Sequence, residues 1–130
     1  MFGDLARVSQ GTRTSRRSSW DPSGANHDFL DLVPGASVTL LEAEGPGKLT
    51  HLYWTTINAS RFHFRQLVLR AWWDGEATPS VEVPLGDLLC IPHCTPVPVR
   101  SLCAVVNPGS SDLLSWGSNL YLPMPFADSA

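Results

Sequence analysis

From Arg65 to Leu89, apolar and polar positions alternate with a period of two. Leu67, Leu69, Ala71 and Trp73 fall on one side, and Gln66, Val68, Arg70 and Trp72 on the other. That is the pattern of a half-buried strand. Asp74-Gly75 opens a turn, because Gly tolerates positive φ and Asp can bond its own backbone, and Thr78-Pro79 closes it. Val81, Val83 and Leu85 then share a face. The pattern predicts a hairpin connected through residues 74–79, with aromatic and β-branched cross-strand pairs setting its register. This hairpin is expected to be the nucleus of a larger antiparallel sheet.

The same period recurs on either side. Ser37 to Glu42 alternates as a strand after the turn dipeptide Pro34-Gly35, and Glu44-Gly-Pro-Gly47 marks a further turn. Lys48 to Thr56 reads as one strand, with Leu49, His51, Tyr53 and Thr55 on one face and Thr50, Leu52 and Trp54 on the other. Downstream, Pro92, Pro96 and Pro98 remove backbone donors, so Cys90 to Arg100 reads as a long loop. Leu102 to Val106 is a short strand, Asn107-Pro-Gly109 a turn, and Asn119 to Phe126 a last extended run suited to a sheet edge. Met1 to Gln10 carries Phe2, Leu5 and Val8 at the spacing of a short amphipathic helical turn.

Composition agrees with many short strands. Eleven prolines and ten glycines are scattered among brief apolar runs in 130 residues, which argues against a helical bundle. Thr12 to Asp28 is too polar to bury a face of its own, yet it holds Trp20 beside Asp21, Asn26 and Asp28, whose side chains bond backbone or ligand hydroxyls. The net charge of -3 gives no global attraction for nucleic acid or anionic lipid. Arg7, Arg13, Arg16 and Arg17 form a local basic arm. No stretch reaches the apolar length of a membrane span, and the first ten residues lack signal-peptide character, so a cytoplasmic location is expected. Cys90, Cys94 and Cys103 are odd in number, which fits a reducing compartment. Cys90, His93 and Cys94 fall short of a four-ligand zinc pattern, so neither metal nor cofactor is expected.

Four ordered blocks resemble glycoside hydrolase family 172, formerly a family of unknown function. They are RRSSWDPSGANHDFL at Arg16 to Leu30, EGPGKLTHLYWTT at Glu44 to Thr56, WDGEATPSVEVPLGDLL at Trp73 to Leu89, and NLYLPMPFADSA at Asn119 to Ala130. The chain departs from the family pattern at Pro22, Ala25 and His27 and in the order of Tyr53-Trp54. The resemblance implies a mostly β protein with an antiparallel jelly-roll-like β-sandwich, left incomplete here as the N-terminal fragment of a double jelly roll. Residues 1–28 would form an arm and polar loop, and residues 29–130 the first sandwich.

The resemblance also implies a retaining hydrolase of furanosides: α-fructofuranosides, difructose anhydrides or arabinofuranosides. It implies homo-oligomers, trimers or multiples of them, in the full-length protein. Retention needs two carboxyl groups about 5 Å apart. The family places both glutamates downstream of Ala130, so no catalytic residue is expected in this chain. Glu42, Glu44, Glu76 and Glu82 read as solvated carboxylates beside turns or on strands. Trp20, Asp21, Asn26, Asp28 and Asp87 are the candidate sugar-contacting residues; loop ordering is an equal alternative for Trp20 and Asp21, and for Asp87 a carboxylate that caps or bonds backbone at the hairpin's end is the favoured reading. The alternative is a self-contained β-sandwich that binds carbohydrate or assembles without catalysis. A sheet cut at Ala130 is expected to leave an unpaired edge at Tyr121 to Phe126 and to self-associate.

Overall fold

A computed structural model describes residues 10–57, 60–95, 97–108 and 116–130. The expectation for Met1 to Ser9 lies outside the described residues. The chain divides into two compact units, Met1–Leu41 and Glu42–Ala130.

In the first unit the described backbone is turns and extended chain, without a strand. Pro34-Gly35 makes the expected turn, closed by the Ala36 amide donating to the Val33 carbonyl at 3.0 Å with Gly35 at φ 82°. The strand expected from Ser37 does not form. Alternation alone cannot hold a strand without a ladder partner, and Val38 and Leu40 remain exposed.

The second unit is mostly β, with every strand pairing antiparallel. Its elements in chain order are β1 (Gly47–Leu49), β2 (Leu52–Trp54), α1 (His63–Gln66), β3 (Val68–Ala71), β4 (Val81–Pro84), α2 (Leu85–Leu88), β5 (Val99–Arg100), β6 (Ala104–Pro108), β7 (Trp116–Leu120) and β8 (Met124–Phe126). The hairpin forms with Leu69 opposite Val83 and Ala71 opposite Val81, and Leu67, Leu69, Ala71 and Trp73 are half-buried as the alternation requires. It stands as its own two-stranded sheet and does not seed the larger one, whose order is β2-β7-β6-β5. Its connection is also wider than expected, spanning residues 72–80. Asp74 (φ 51°) and Gly75 (φ 76°) make a tight turn, and Glu76 closes the rest by accepting from the Trp73 amide and the Ser80 hydroxyl.

The run from Lys48 to Thr56 is two strands rather than one. Thr50 and His51 are both exposed, breaking the alternation, and the chain passes from a ladder with β8 to a ladder with β7. Leu52 faces Leu120 while Leu49 faces Met124, so the partner strand carries one extra residue, the count of a β-bulge. Leu49 therefore loses the face shared with His51. The last run divides in the same place, and Met124–Phe126 pairs with β1. Within the expected edge from Tyr121 to Phe126, residues 124–126 have β1 on one side only, and Tyr121 and Leu122 remain exposed. Asn107 and Pro108 continue β6 instead of turning, opposite Gly117 and Trp116. Proline is tolerated there because β5 pairs only as far as Val106, leaving no ladder for Pro108 to feed on that side.

The core sits between the inner face of the four-stranded sheet and the helical turns. Phe64, Leu85, Leu89, Ile91 and Val106 are buried together, with Trp54, Leu67, Leu69, Val99 and Trp116 packed around them. Neither helical turn was expected from the alternation. The Leu85 amide donates to the Leu67 carbonyl at 2.8 Å, carrying the β3–β4 pairing up to both turns, and the Ile91 amide closes α2 onto the Gly86 carbonyl. Gly86 is required at this crossing, since an added Cβ would lie 2.7 Å from the Ile91 carbonyl and 2.9 Å from the Phe64 Cβ. Buried His63 is satisfied on both nitrogens. Its Nδ1–H donates to the Ser60 carbonyl at 2.8 Å, and Nε2 accepts from the Thr56 hydroxyl at 3.1 Å. Trp54 and Trp116, by contrast, bury indole N–H groups that have no acceptor among the described residues.

Candidate functional site

Trp20, Asp21, Asn26 and Asp28 lie in one ordered loop. Asp21 organises it: one carboxylate oxygen accepts from the Ser23 hydroxyl (2.6 Å) and amide (2.9 Å), the other from the His27 amide (3.1 Å). Asp28 returns the bond, accepting the Asp21 amide at 2.7 Å, while the Ser19 hydroxyl donates to its carbonyl. These donors, first the Ser23 hydroxyl and then the His27 amide, hold the Asp21 carboxyl below its ordinary range. Asn26 takes the left-handed conformation (φ 63°) that lets the loop double back. Trp20 is left 64% exposed. The two carboxylates thus spend their oxygens on loop order, and the indole is the group presented outward.

Asp87 belongs to the other unit. Instead of bonding backbone, its carboxylate pairs with the Arg65 guanidinium, which projects from α1 across to α2. Three further carboxylates among the described residues are engaged too. Glu82 pairs with Arg70 directly across the hairpin, and Glu76 closes the turn. Asp74 does not bond its own backbone as a turn aspartate would. One of its oxygens accepts the amides of Ala127 (2.9 Å), Asp128 (2.7 Å) and Ser129 (3.1 Å), and its amide donates to the Ser129 carbonyl. The Asp128 amide, followed by that of Ser129, lowers the Asp74 carboxyl from its ordinary value. This clasp, with paired hydrogen bonds between Ala43 and Ala130 and a Trp73–Phe126 stack, closes the C-terminal segment onto residues 43–49. Glu42 and Glu44 line an open depression beside it, with Trp72, Gly75 and Ser129.

The outer face of the four-stranded sheet carries a further group. Tyr53 stands opposite Asn119 in the β2–β7 ladder, and one step beyond the ladder's end His51 stacks on Tyr121, ring centroids 4.6 Å apart and 5° from parallel. The His51 Nε2–H donates to the Asn119 side-chain oxygen at 3.0 Å, which leaves Nδ1 as the acceptor nitrogen. Tyr53 passes beside Gly117, where an added Cβ would sit 3.7 Å from the ring. The alternation puts His51 and Tyr53 on one face, as read from the sequence. It could not find Asn119 and Tyr121, because their place beside His51 depends on a pairing between residues 68 apart. Among the described residues no three metal-ligating side chains converge, and no helix is long and apolar enough to cross a membrane. Cys90, Cys94 and Cys103 are free thiols.

Comparison with curated proteins returns no significant match. The family described as GH172 domain-like matches residues 24–130, a span that takes in the Asn26–Asp28 end of the polar loop, the hairpin, the Asp74 clasp and the whole four-stranded sheet. With that match over most of its length, the chain belongs to the GH172 domain-like family and is related to glycoside hydrolases.

Proposed function

We propose that the chain is the N-terminal part of a retaining glycoside hydrolase acting on furanosides, supplying β scaffold and part of the sugar pocket, with the catalytic carboxyl pair outside it. The observation that carries this reading is the state of its carboxylates. Among the described residues, Asp21, Asp28, Asp74, Glu76, Glu82 and Asp87 hold structural hydrogen bonds or ion pairs, while Glu42 and Glu44 line an open depression and are the glutamates left to test. A retaining pair needs one carboxylate poised as nucleophile and one carboxyl able to cycle a proton. A carboxylate that collects backbone amides has its charge stabilised, which makes it a poor acid and a weak nucleophile. In this reading the chain binds and positions the sugar, which is an α-fructofuranoside, a difructose anhydride or an arabinofuranoside. Trp20 supplies a stacking face, Asp21, Asn26 and Asp28 hold it in place, and Asp87 fixes the α1–α2 corner. The jelly-roll sandwich, the assembly into trimers or their multiples and the cytoplasmic location belong to the same proposal.

The test is turnover. Purified chain is expected to leave 4-nitrophenyl α-L-arabinofuranoside and the corresponding fructofuranoside unhydrolysed above the buffer rate. Turnover by the chain, lost in Glu42→Gln or Glu44→Gln, would overturn the proposal and place the reaction in the depression beside Trp72.

A further inference from the structure

We propose that the outer face of the four-stranded sheet at His51, Tyr53, Asn119 and Tyr121 is a binding subsite for a neutral furanose ring. The inference rests on the carbohydrate reading above and locates it on residues of the second unit. Tyr53 and Tyr121 are 60% and 45% exposed, so two large aromatic rings stand in water on one small patch. Aromatic residues left this way offer apolar area together with a polar tip, which suits the alternating CH and OH faces of a sugar. Their neighbours are hydrogen-bonding groups, and the His51–Asn119–Tyr121 set is held together before any ligand arrives. The Asn119 amide is held by His51, the His51 ring is held by Tyr121, and Tyr53 passes beside Gly117, where an added Cβ would sit 3.7 Å from the ring. Fixing side chains in advance lowers the ordering cost of binding.

Charge narrows the ligand. Across the sheet the row runs from Tyr53 through Asn119 and Val105 to Arg100, so the only formal charge in that row sits at the far edge. Along that row a phosphate or carboxylate finds no Lys or Arg before Arg100, and a cationic ligand finds no carboxylate. A polyhydroxylated ring finds the His51 Nδ1 and the Asn119 amide as hydrogen-bonding partners, together with two phenols.

The experiment is a titration of isotope-labelled chain with methyl α-L-arabinofuranoside and, separately, a methyl fructofuranoside, followed through the side-chain signals of His51, Tyr53 and Tyr121. Tyr121→Ala, Asn119→Ala, Tyr121→Phe and Trp20→Ala are run alongside, with amide spectra establishing that each variant is folded. The sugars are expected to shift the His51, Tyr53 and Tyr121 signals. Tyr121→Ala should weaken binding about fivefold or more, the size of a lost stacking contact, while Tyr121→Phe largely restores it. Trp20→Ala should leave these shifts in place. Shifts confined to Trp20 and Asn26, abolished by Trp20→Ala alone, would overturn the subsite and keep the carbohydrate reading. No shift anywhere with either sugar would overturn both.

Discussion

Two aspartates organise the two units in opposite ways. Asp21 collects its donors from residues two and six positions away and shapes a loop that is complete in itself. Asp74 collects three amides from residues 53 to 55 positions away and fastens the end of the chain to the hairpin turn. Both carboxyls are held below their ordinary range by backbone and hydroxyl donors. The chemistry is the same, but the consequence differs. Losing the first rearranges a loop, whereas losing the second should free a strand pair.

The largest expected effect sets the scale for the long-range unit. Leu89 is fully buried in the core that both helical turns share, so Leu89→Ala should cost about 2–5 kcal/mol in chemical denaturation. Asp74→Asn comes next. It should lower the melting temperature clearly and strip hydrogen-exchange protection from the amides of residues 127–129. Acid tests the same clasp without mutation. A carboxyl whose folded value lies below 3.8 contributes stability that is present above pH 3.8 and is lost as the pH falls through the folded value. Asp74→Asn should therefore flatten the acid limb of the unfolding curve. Asp21→Asn should do less to the melting temperature than Asp74→Asn, moving chiefly the amide signals of Ser23 and His27. An equal or larger melting effect from Asp21→Asn would erase the distinction between the two aspartates. The smallest effect belongs to Glu82→Gln, which removes an exposed cross-strand ion pair with Arg70 and should cost under about 1 kcal/mol.

What could be read from the chain follows the same division. The hairpin was legible because its alternation and Asp-Gly turn are contained within neighbouring residues, and the Pro34-Gly35 turn for the same reason. The four-stranded sheet was not, since β2 lies beside β7 only through a pairing that joins positions 54 and 118. Likewise the break at Thr50–His51 has only a weak local marker. Thr50 and His51 are two polar residues in succession, which a single strand also tolerates, and it is the extra residue on the partner strand that makes the change of face. Trp20, Asp21, Asn26 and Asp28 were found as a group because their loop closes on itself, although Asp21 and Asp28 turn out to bond the loop. Asp87 was picked out for its position after Gly86, while its partner Arg65, on the preceding helical turn, was hidden by reading that turn as strand. The buried indole N–H groups of Trp54 and Trp116 have no signature in an alternating pattern, since either could equally well have faced an acceptor. In chemical denaturation Trp116→Phe should cost far less than Leu89→Ala, because it removes a buried donor while keeping an aromatic ring.

The most direct test asks whether any carboxylate of this chain is a glycosidic nucleophile. Purified chain is incubated with a furanose-configured epoxide that traps retaining glycosidases covalently, and its intact mass is measured. The account predicts an unchanged mass. A stoichiometric adduct, mapped by peptide sequencing to Glu42 or Glu44, would contradict it.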